Sequence, residues 1–111
     1  MPCLFCEIVN KKRAANIVYE NDNFIAFEDI EPKAPLHLLV IPKKHIPTVD
    51  HLGPEEGELM RELFLIAQKI AREQGVSKSG YRLIINVGKD AGQTVEHLHL
   101  HILGGRKLSW T

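Results

Sequence analysis

The chain has 111 residues, of which 44% are hydrophobic and 25% are charged. Fourteen basic and fourteen acidic residues give a formal net charge of zero, so no strong field draws the protein to a nucleic acid or an anionic membrane. The length fits one domain over residues 1–111. No apolar run approaches the roughly 20 residues of a membrane helix and no secretory pattern opens the chain, which predicts a cytoplasmic protein.

The first half of the chain predicts a short helix and three strands. Apolar residues repeat at helical spacing over residues 3–10. Two β-rich runs, at 16–20 and 24–28, flank a turn-forming stretch and predict a hairpin. The nearly continuous apolar run at 37–41 predicts a central strand that Pro42 closes.

The second half predicts one long helix and two more strands. Pro54 and two following acids suit a helix N-terminus, and apolar residues then recur at three- and four-residue spacing as far as Gly75. Strands are predicted at 81–86 and 97–103. We therefore expect an α+β domain with a five-stranded, mainly antiparallel sheet, one long helix and one short helix.

Three histidines at two-residue spacing stand out in the last predicted strand. His97, His99 and His101 alternate with apolar residues at 98, 100 and 102, so the imidazoles share one face. A lone histidine would more often be structural, but three in register indicate a site. They could bind zinc with an open water position, or one could be a nucleophile that its neighbours orient.

A glycine-containing loop at residues 87–94 precedes the histidines. Its backbone N–H groups could approach an anion such as phosphate closely. The alternative is a simple glycine turn between two strands.

Cys3 and Cys6 are the only cysteines, and two residues separate them. This spacing suits a metal site or a redox pair, although no βαβ pattern of the kind that carries redox pairs follows. Zinc would need two more ligands. The alternative is a pair of thiols packed at the start of the first helix.

Several segments together resemble a known family. The stretch His97–Leu103 resembles the histidine-triad signature, in which three histidines alternate with apolar residues, and Gly92-Gln93-Thr94 precedes it as in that family. Further resembling segments are residues 3–8, 26–30, 34–37, 40–45, Asn86 and 104–106. The chain is thus similar to the histidine-triad (HIT) family, and more to its Hint branch of nucleoside phosphoramidases than to the Fhit or aprataxin branches.

This resemblance implies a function and partners. We expect hydrolysis of purine nucleoside 5′-phosphoramidates to AMP or GMP and an amine, through a nucleotidyl-histidine intermediate and without a catalytic cofactor. The alternatives are a dinucleoside polyphosphate hydrolase, a nucleotide-binding regulatory module and, last, a zinc hydrolase using the three histidines. The family also implies a homodimer in which the long helix packs against its mate, and Trp110 in the C-terminal tail suits contact with another chain.

The resemblance also assigns residues. His99 would be the nucleophile, with His97, His101, His37 and Thr94 assisting; Thr94 stands where many relatives have serine. Asp29 would bind the ribose, with an Asx-type turn as its alternative role. The remaining nucleotide-binding residues, which surround the purine and the phosphate, would be Leu4, Phe5, Ile8, Phe27, Ile30, Leu39, Asn86, Gly92, Gln93, Thr94, His99 and His101. A structural zinc would have the ligands Cys3, Cys6, His45 and His97.

Overall fold

A computed structural model describes residues 3–110. Its helices and strands are, in chain order, α1 (Leu4–Val9), β1 (Ile17–Glu20), β2 (Phe24–Glu28), β3 (Leu36–Pro42), α2 (Gly57–Glu73), β4 (Tyr81–Ile84) and β5 (Leu100–Gly104). The strands form one antiparallel sheet in the order β1-β2-β3-β5-β4. The predicted α+β fold with one long and one short helix is confirmed. No helix in this part of the chain is long and apolar enough to cross a membrane.

The two faces of the sheet are sorted by odd and even sequence positions, because side chains alternate along a strand. Even-numbered side chains of β2, β3 and residues 97–103 pack with α2 in one core: Phe24, Ala26, Leu38, Val40, Leu98, Leu100 and Ile102. Odd-numbered ones pack with Phe5 and Ile8 of α1 in a second core: Ile25, Phe27, Leu39 and Ile41. The histidines at 37, 97, 99 and 101 therefore belong to the face that α1 covers.

Two predicted strands are shorter than expected. β5 begins at Leu100 rather than at His97, and β4 ends at Ile84 rather than at residue 86. The ladder with β3 stops at the Val40–Leu100 pair because Pro42, just beyond it, has no N–H to donate. The carbonyl of Pro42 instead faces the His97 ring. His97 and His99 thus lie in irregular chain, although the alternation of faces persists.

The buried carboxylate of Glu56 stabilises the chain at the start of α2. A short 3-10 turn, Pro54–Glu56, leads into the helix. Glu56 accepts a hydrogen bond from the Gly53 amide at 2.6 Å and pairs with Lys44 at 3.0 Å. These contacts satisfy a backbone donor that the helix leaves without a partner. The Gly53 amide and the Lys44 ammonium lower the pKa of Glu56 below its ordinary value of 4.5.

We predict that Glu56→Gln lowers the free energy of unfolding at neutral pH. Because the pKa is lowered in the folded state, the carboxylate stabilises the fold above the unfolded-state pKa, and this contribution is lost as the pH falls through the folded-state value. Urea unfolding at about pH 7 and about pH 3 should show the difference from wild type shrinking at the lower pH. Glu58→Gln, which alters an exposed pair with Arg61 at 3.9 Å, is the control. An equal effect of both substitutions would contradict the prediction.

Candidate functional site

His97 is fully buried where the chain enters β5. Its Nε2 donates to the Pro42 carbonyl at 2.8 Å, so the ring proton sits on Nε2 and the lone pair on Nδ1. Around Nδ1 lie Cys3 Sγ at 3.4 Å, Cys6 Sγ at 3.6 Å and His45 Nδ1 at 3.2 Å. The fold therefore brings together the four side chains that the resemblance assigned to a metal.

The donor atoms of this Cys/His group suit a tetrahedral metal. Cys6 Sγ and His45 Nδ1 are 3.3 Å apart, and zinc with ordinary Zn–N and Zn–S distances has ligand-to-ligand edges of roughly 3.3–3.8 Å. Burial and the neighbouring Cys3 thiol raise the pKa of Cys6 to about 11. The Cys6 thiol must therefore release its proton when a metal binds.

His99 has a fixed tautomer. Its Nδ1 donates to the carbonyl of His97 at 2.7 Å, and since a carbonyl only accepts, Nδ1 carries the proton. The ring is 6% exposed and packs edge-to-face on Phe5, with 5.1 Å between the centroids. Nε2 remains as the unprotonated nitrogen of a ring that lines the cleft described below.

His37 and His101 form a hydrogen-bonded pair with a defined direction. The Lys33 amide donates to His37 Nδ1 at 3.0 Å, so the proton of a neutral His37 is on Nε2. That nitrogen lies 2.9 Å from His101 Nδ1. Two ring N–H groups cannot face each other at this distance, so His101 accepts on Nδ1 and carries its own proton on Nε2.

The Nε2 of His101 is the end of this chain of hydrogen bonds. It is buried and has no hydrogen-bond partner within residues 3–110. Burial, with the neighbouring His99 and His37 rings, lowers the pKa of His101 to about 4, and burial also lowers the pKa of His37. Both rings are therefore neutral near pH 7, and His101 holds an unsatisfied N–H donor in a ring that lines the cleft.

Asp29 forms the Asx-type turn considered for it and also lines the cleft. Its Oδ1 accepts from the Glu31 amide at 2.9 Å, which closes an Asx-type turn. Its Oδ2 lies 3.3 Å from His37 Nε2, and the residue lines the cleft. The carboxylate is thus fixed by its own turn and stands within reach of a ligand.

Metal chemistry by the three triad histidines finds no support in the geometry. Two groups of donor atoms converge in the described part of the chain: the Cys/His group, and Asp29 with His37 and His101. Neither group contains His99. In the second group the Lys33 amide keeps a proton on His37 Nε2, the nitrogen that a metal would need.

A cleft of about 420 Å³ opens beside α1, a volume that suits a small-molecule ligand. Ten of the predicted nucleotide-binding residues line it: Leu4, Phe5, Ile8, Phe27, Asp29, Ile30, Leu39, Thr94, His99 and His101. Phe5 and Phe27 meet edge-to-face with centroids 5.6 Å apart. Phe27, only 4% exposed, therefore serves both the core and the cleft wall.

Several backbone amides of the glycine loop, which from the sequence could bind an anion, instead donate to groups within the loop. Gly88 and Gly92 have φ angles of 81° and 86°, which favour glycine. The amides of Ala91, Gly92 and Gln93 donate to carbonyls within the loop. The Gln93 side chain accepts from the Gly88 amide and donates to the Pro47 and Val95 carbonyls, all within 3.0 Å.

Only the end of this loop, with the residue that follows it, therefore lines the cleft among the described residues. Thr94 and Val95 line the cleft, whereas Asn86, Gly92 and Gln93 are not among its described lining residues. His37 stands behind His101 and His97 belongs to the Cys/His group, so neither lines the cleft directly.

The structure adds six lining residues that the sequence did not single out: Arg13, Ala14, Ala15, Glu28, Glu31 and Val95. Arg13 ends the short basic run Lys11-Lys12-Arg13, a pattern that favours a solvated turn, and it pairs with Glu7 at 3.1 Å. The two alanines are small residues in a connecting segment. No local pattern marks them, because their place at the cleft depends on how the segment before β1 packs beside α1.

Comparison with known proteins agrees with this geometry. The sequence profile of the HIT domain matches residues 10–108. An uncharacterised HIT-like protein from Synechocystis is 47% identical over 107 residues, which is 96% of this chain and 93% of that protein.

Solved structures superpose closely. A HIT family hydrolase from Legionella pneumophila is 47% identical with a TM-score of 0.97, covering 98% of this chain and 97% of the other. A histidine triad protein from Clostridium difficile is 42% identical with a TM-score of 0.96, covering 100% and 96%. With the profile matched over most of the chain and the histidine geometry in place, the chain belongs to the HIT family.

Proposed function

We propose that the protein is a hydrolase of purine nucleoside 5′-phosphoramidates that works through a nucleotidyl-histidine intermediate. The observation that carries this proposal is the tautomer of His99, whose Nδ1–H is held by the His97 carbonyl at 2.7 Å. A histidine nucleophile needs one nitrogen free while the other keeps its proton. The family hydrolase from Legionella, at 47% identity, supports hydrolase chemistry.

The cleft supports a purine nucleotide as the ligand. Its apolar walls include Phe5, Phe27 and Leu39, which suit a flat heteroaromatic base. Asp29, which also lines the cleft, would accept hydrogen bonds from the ribose hydroxyls. Its carboxylate lies within 4.8 Å of a His101 ring nitrogen, so a ribose bound there would bring the 5′-phosphate near Thr94, His99 and His101.

In the first step, His99 Nε2 attacks the phosphorus and the P–N bond breaks. The departing amine takes up a proton, which the Thr94 hydroxyl helps to deliver. The Nε2–H of His101, neutral because its pKa is lowered to about 4, donates to a phosphoryl oxygen and stabilises the developing negative charge. In the second step, water attacks the phosphorus and gives up a proton, which replaces the one that the amine took up. The His99–phosphorus bond breaks, and the nucleoside monophosphate leaves.

We predict that His99→Ala lowers the turnover of adenosine 5′-phosphoramidate by roughly 10³-fold or more, because it removes the unprotonated ring nitrogen that His99 brings to the cleft. AMP release measures turnover, and calorimetry should show AMP binding within a few-fold of wild type. His51→Ala, an exposed histidine that contacts Thr48 at 2.8 Å, is the control.

Different outcomes would redirect the assignment. Wild-type protein that binds AMP and releases none from the phosphoramidate would be a binding module. Faster cleavage of a dinucleoside polyphosphate would make that class the substrate, and turnover abolished immediately by a chelator would favour metal chemistry.

We also propose that Cys3, Cys6, His45 and His97 hold a structural zinc, supported by their converging donor atoms. When bound, the metal supplies a cross-link between α1, the segment after β3 and the triad. His97 would use Nδ1 for the metal while Nε2 stays on the Pro42 carbonyl, an outer hydrogen bond typical of histidine ligands.

We predict that protein prepared with zinc contains one ion per chain and that Cys6→Ser abolishes it. Loss of the metal should lower the Tm by roughly 4 °C or more, since the metal binds only the folded arrangement. Elemental analysis and thermal unfolding measure the two effects, with His51→Ala as control. Full zinc content in Cys6→Ser would contradict this ligand set.

We further propose a homodimer. β4 is an edge strand of the sheet, and an uncovered edge invites pairing with another chain. Exposed apolar side chains on α2 and β4 also support dimerisation. The exposed fractions are 49% for Phe64, 47% for Leu65 and 37% for Leu83.

We predict that wild type sediments as two chains and that Leu65→Glu shifts it to one, because the charge would be buried without a partner. Val18→Glu, on the opposite edge strand and 38% exposed in the chain, is the matched control. A wild-type mass of one chain would exclude the dimer.

A further inference from the structure

The segment between β2 and β3 touches the site through one backbone group. The Lys33 amide donates to His37 Nδ1 at 3.0 Å, four residues further along the chain. This donor occupies the lone pair of His37 Nδ1 and so places the ring proton on Nε2, from which the tautomer of His101 follows. The Asp29 carboxylate, 3.3 Å from His37 Nε2, favours the same tautomer. Lys33 itself is exposed, so the position of its amide depends on what holds the neighbouring backbone.

Two residues from the far end of the chain contact the segment that directly follows this amide. Arg106 Nη2 donates to the Lys33 carbonyl at 2.9 Å across 73 residues of sequence. Gly105 lies against Pro35 so closely that a Cβ at Gly105 would be 2.9 Å from the Pro35 Cβ. Its φ of 93° also favours glycine. The end of β5 therefore clamps the segment that carries the Lys33 amide.

We infer that Arg106 and Gly105 are positioning residues of the histidine site, which hold the Lys33 amide on His37 and thereby keep an N–H donor on His101 Nε2. The consequence for turnover rests on the proposed phosphoramidase function, whereas the tautomers do not.

The physical effect is a change from donor to acceptor. If the Lys33 amide withdraws, a neutral His37 can move its proton to Nδ1 and accept from His101 at Nε2. His101 would then carry its proton on Nδ1 and expose a lone pair on Nε2. A lone pair there repels the oxygens of a bound phosphate, whereas the N–H attracts them.

The residues offer matched variants. Arg106→Ala removes the clamp, and Arg106→Lys restores one charged donor. Arg82→Ala is the control, because Arg82 also donates to a backbone carbonyl of the tail, that of Ser109 at 2.5 Å, and has no described link to the histidines. An α-hydroxy acid at position 33 replaces the amide by an ester and deletes only the donor, while Lys33→Ala keeps the amide.

The experiment is imidazole nitrogen NMR on histidine-labelled protein, together with steady-state kinetics. We expect wild type, Arg82→Ala and Lys33→Ala to show His101 protonated on Nε2. We expect Arg106→Ala and the ester to populate the form protonated on Nδ1, with kcat lowered roughly tenfold and KM changed less. Arg106→Lys should restore part of the Nε2-protonated form of His101 and part of the wild-type kcat.

The outcomes separate the two proposals. A wild-type tautomer in the ester variant overturns the positioning role, whatever the enzyme hydrolyses. Equal effects of Arg106→Ala and Arg82→Ala overturn the role of Arg106, because they would reflect a general loosening of the tail. Wild type without turnover contradicts the proposed function alone, since NMR still decides the tautomers.

Discussion

The histidine site depends on the fully buried His97 ring, each of whose nitrogens needs a partner because an unpaired buried polar atom is costly. His97 meets this need with a backbone carbonyl on one side and the Cys/His group on the other. Its own carbonyl accepts the proton-bearing nitrogen of His99. One fully buried residue thus joins the metal-type group to the nucleophile, and moving its ring would disturb both.

The α1 helix brings the same two regions together from the other side. Cys3 caps the helix and Cys6 lies in its first turn, while Phe5 and Ile8 enter the second core and line the cleft. The Phe5 ring packs edge-to-face on both His97 and His99, at 5.9 and 5.1 Å. A six-residue helix could not hold this position by itself, so its packing on the sheet and the cysteine contacts have to hold it.

Much of this could be predicted from the sequence, and the remainder has identifiable physical reasons. The period-two pattern at 97–103 gives the shared face of the histidines, and the apolar spacing after Pro54 gives the long helix. The start of β5 at residue 100 depends on where Pro42 ends the ladder with β3. The Arg106–Lys33 contact joins residues 73 positions apart, and Gln93 takes a loop-closing role because carbonyls from two segments surround it. Such contacts arise only from tertiary packing.

Three imidazoles of the site are each supported by a main-chain atom: His97 by the Pro42 carbonyl, His99 by the His97 carbonyl and His37 by the Lys33 amide. Any residue at such a position supplies a carbonyl, and any residue except proline supplies an amide N–H, provided that the backbone keeps its path. Substitutions that preserve this path can therefore accumulate around the histidines during divergence without altering their protonation. A relative that shares under half of the residues, 47%, and superposes with a TM-score of 0.97 is what such tolerance permits.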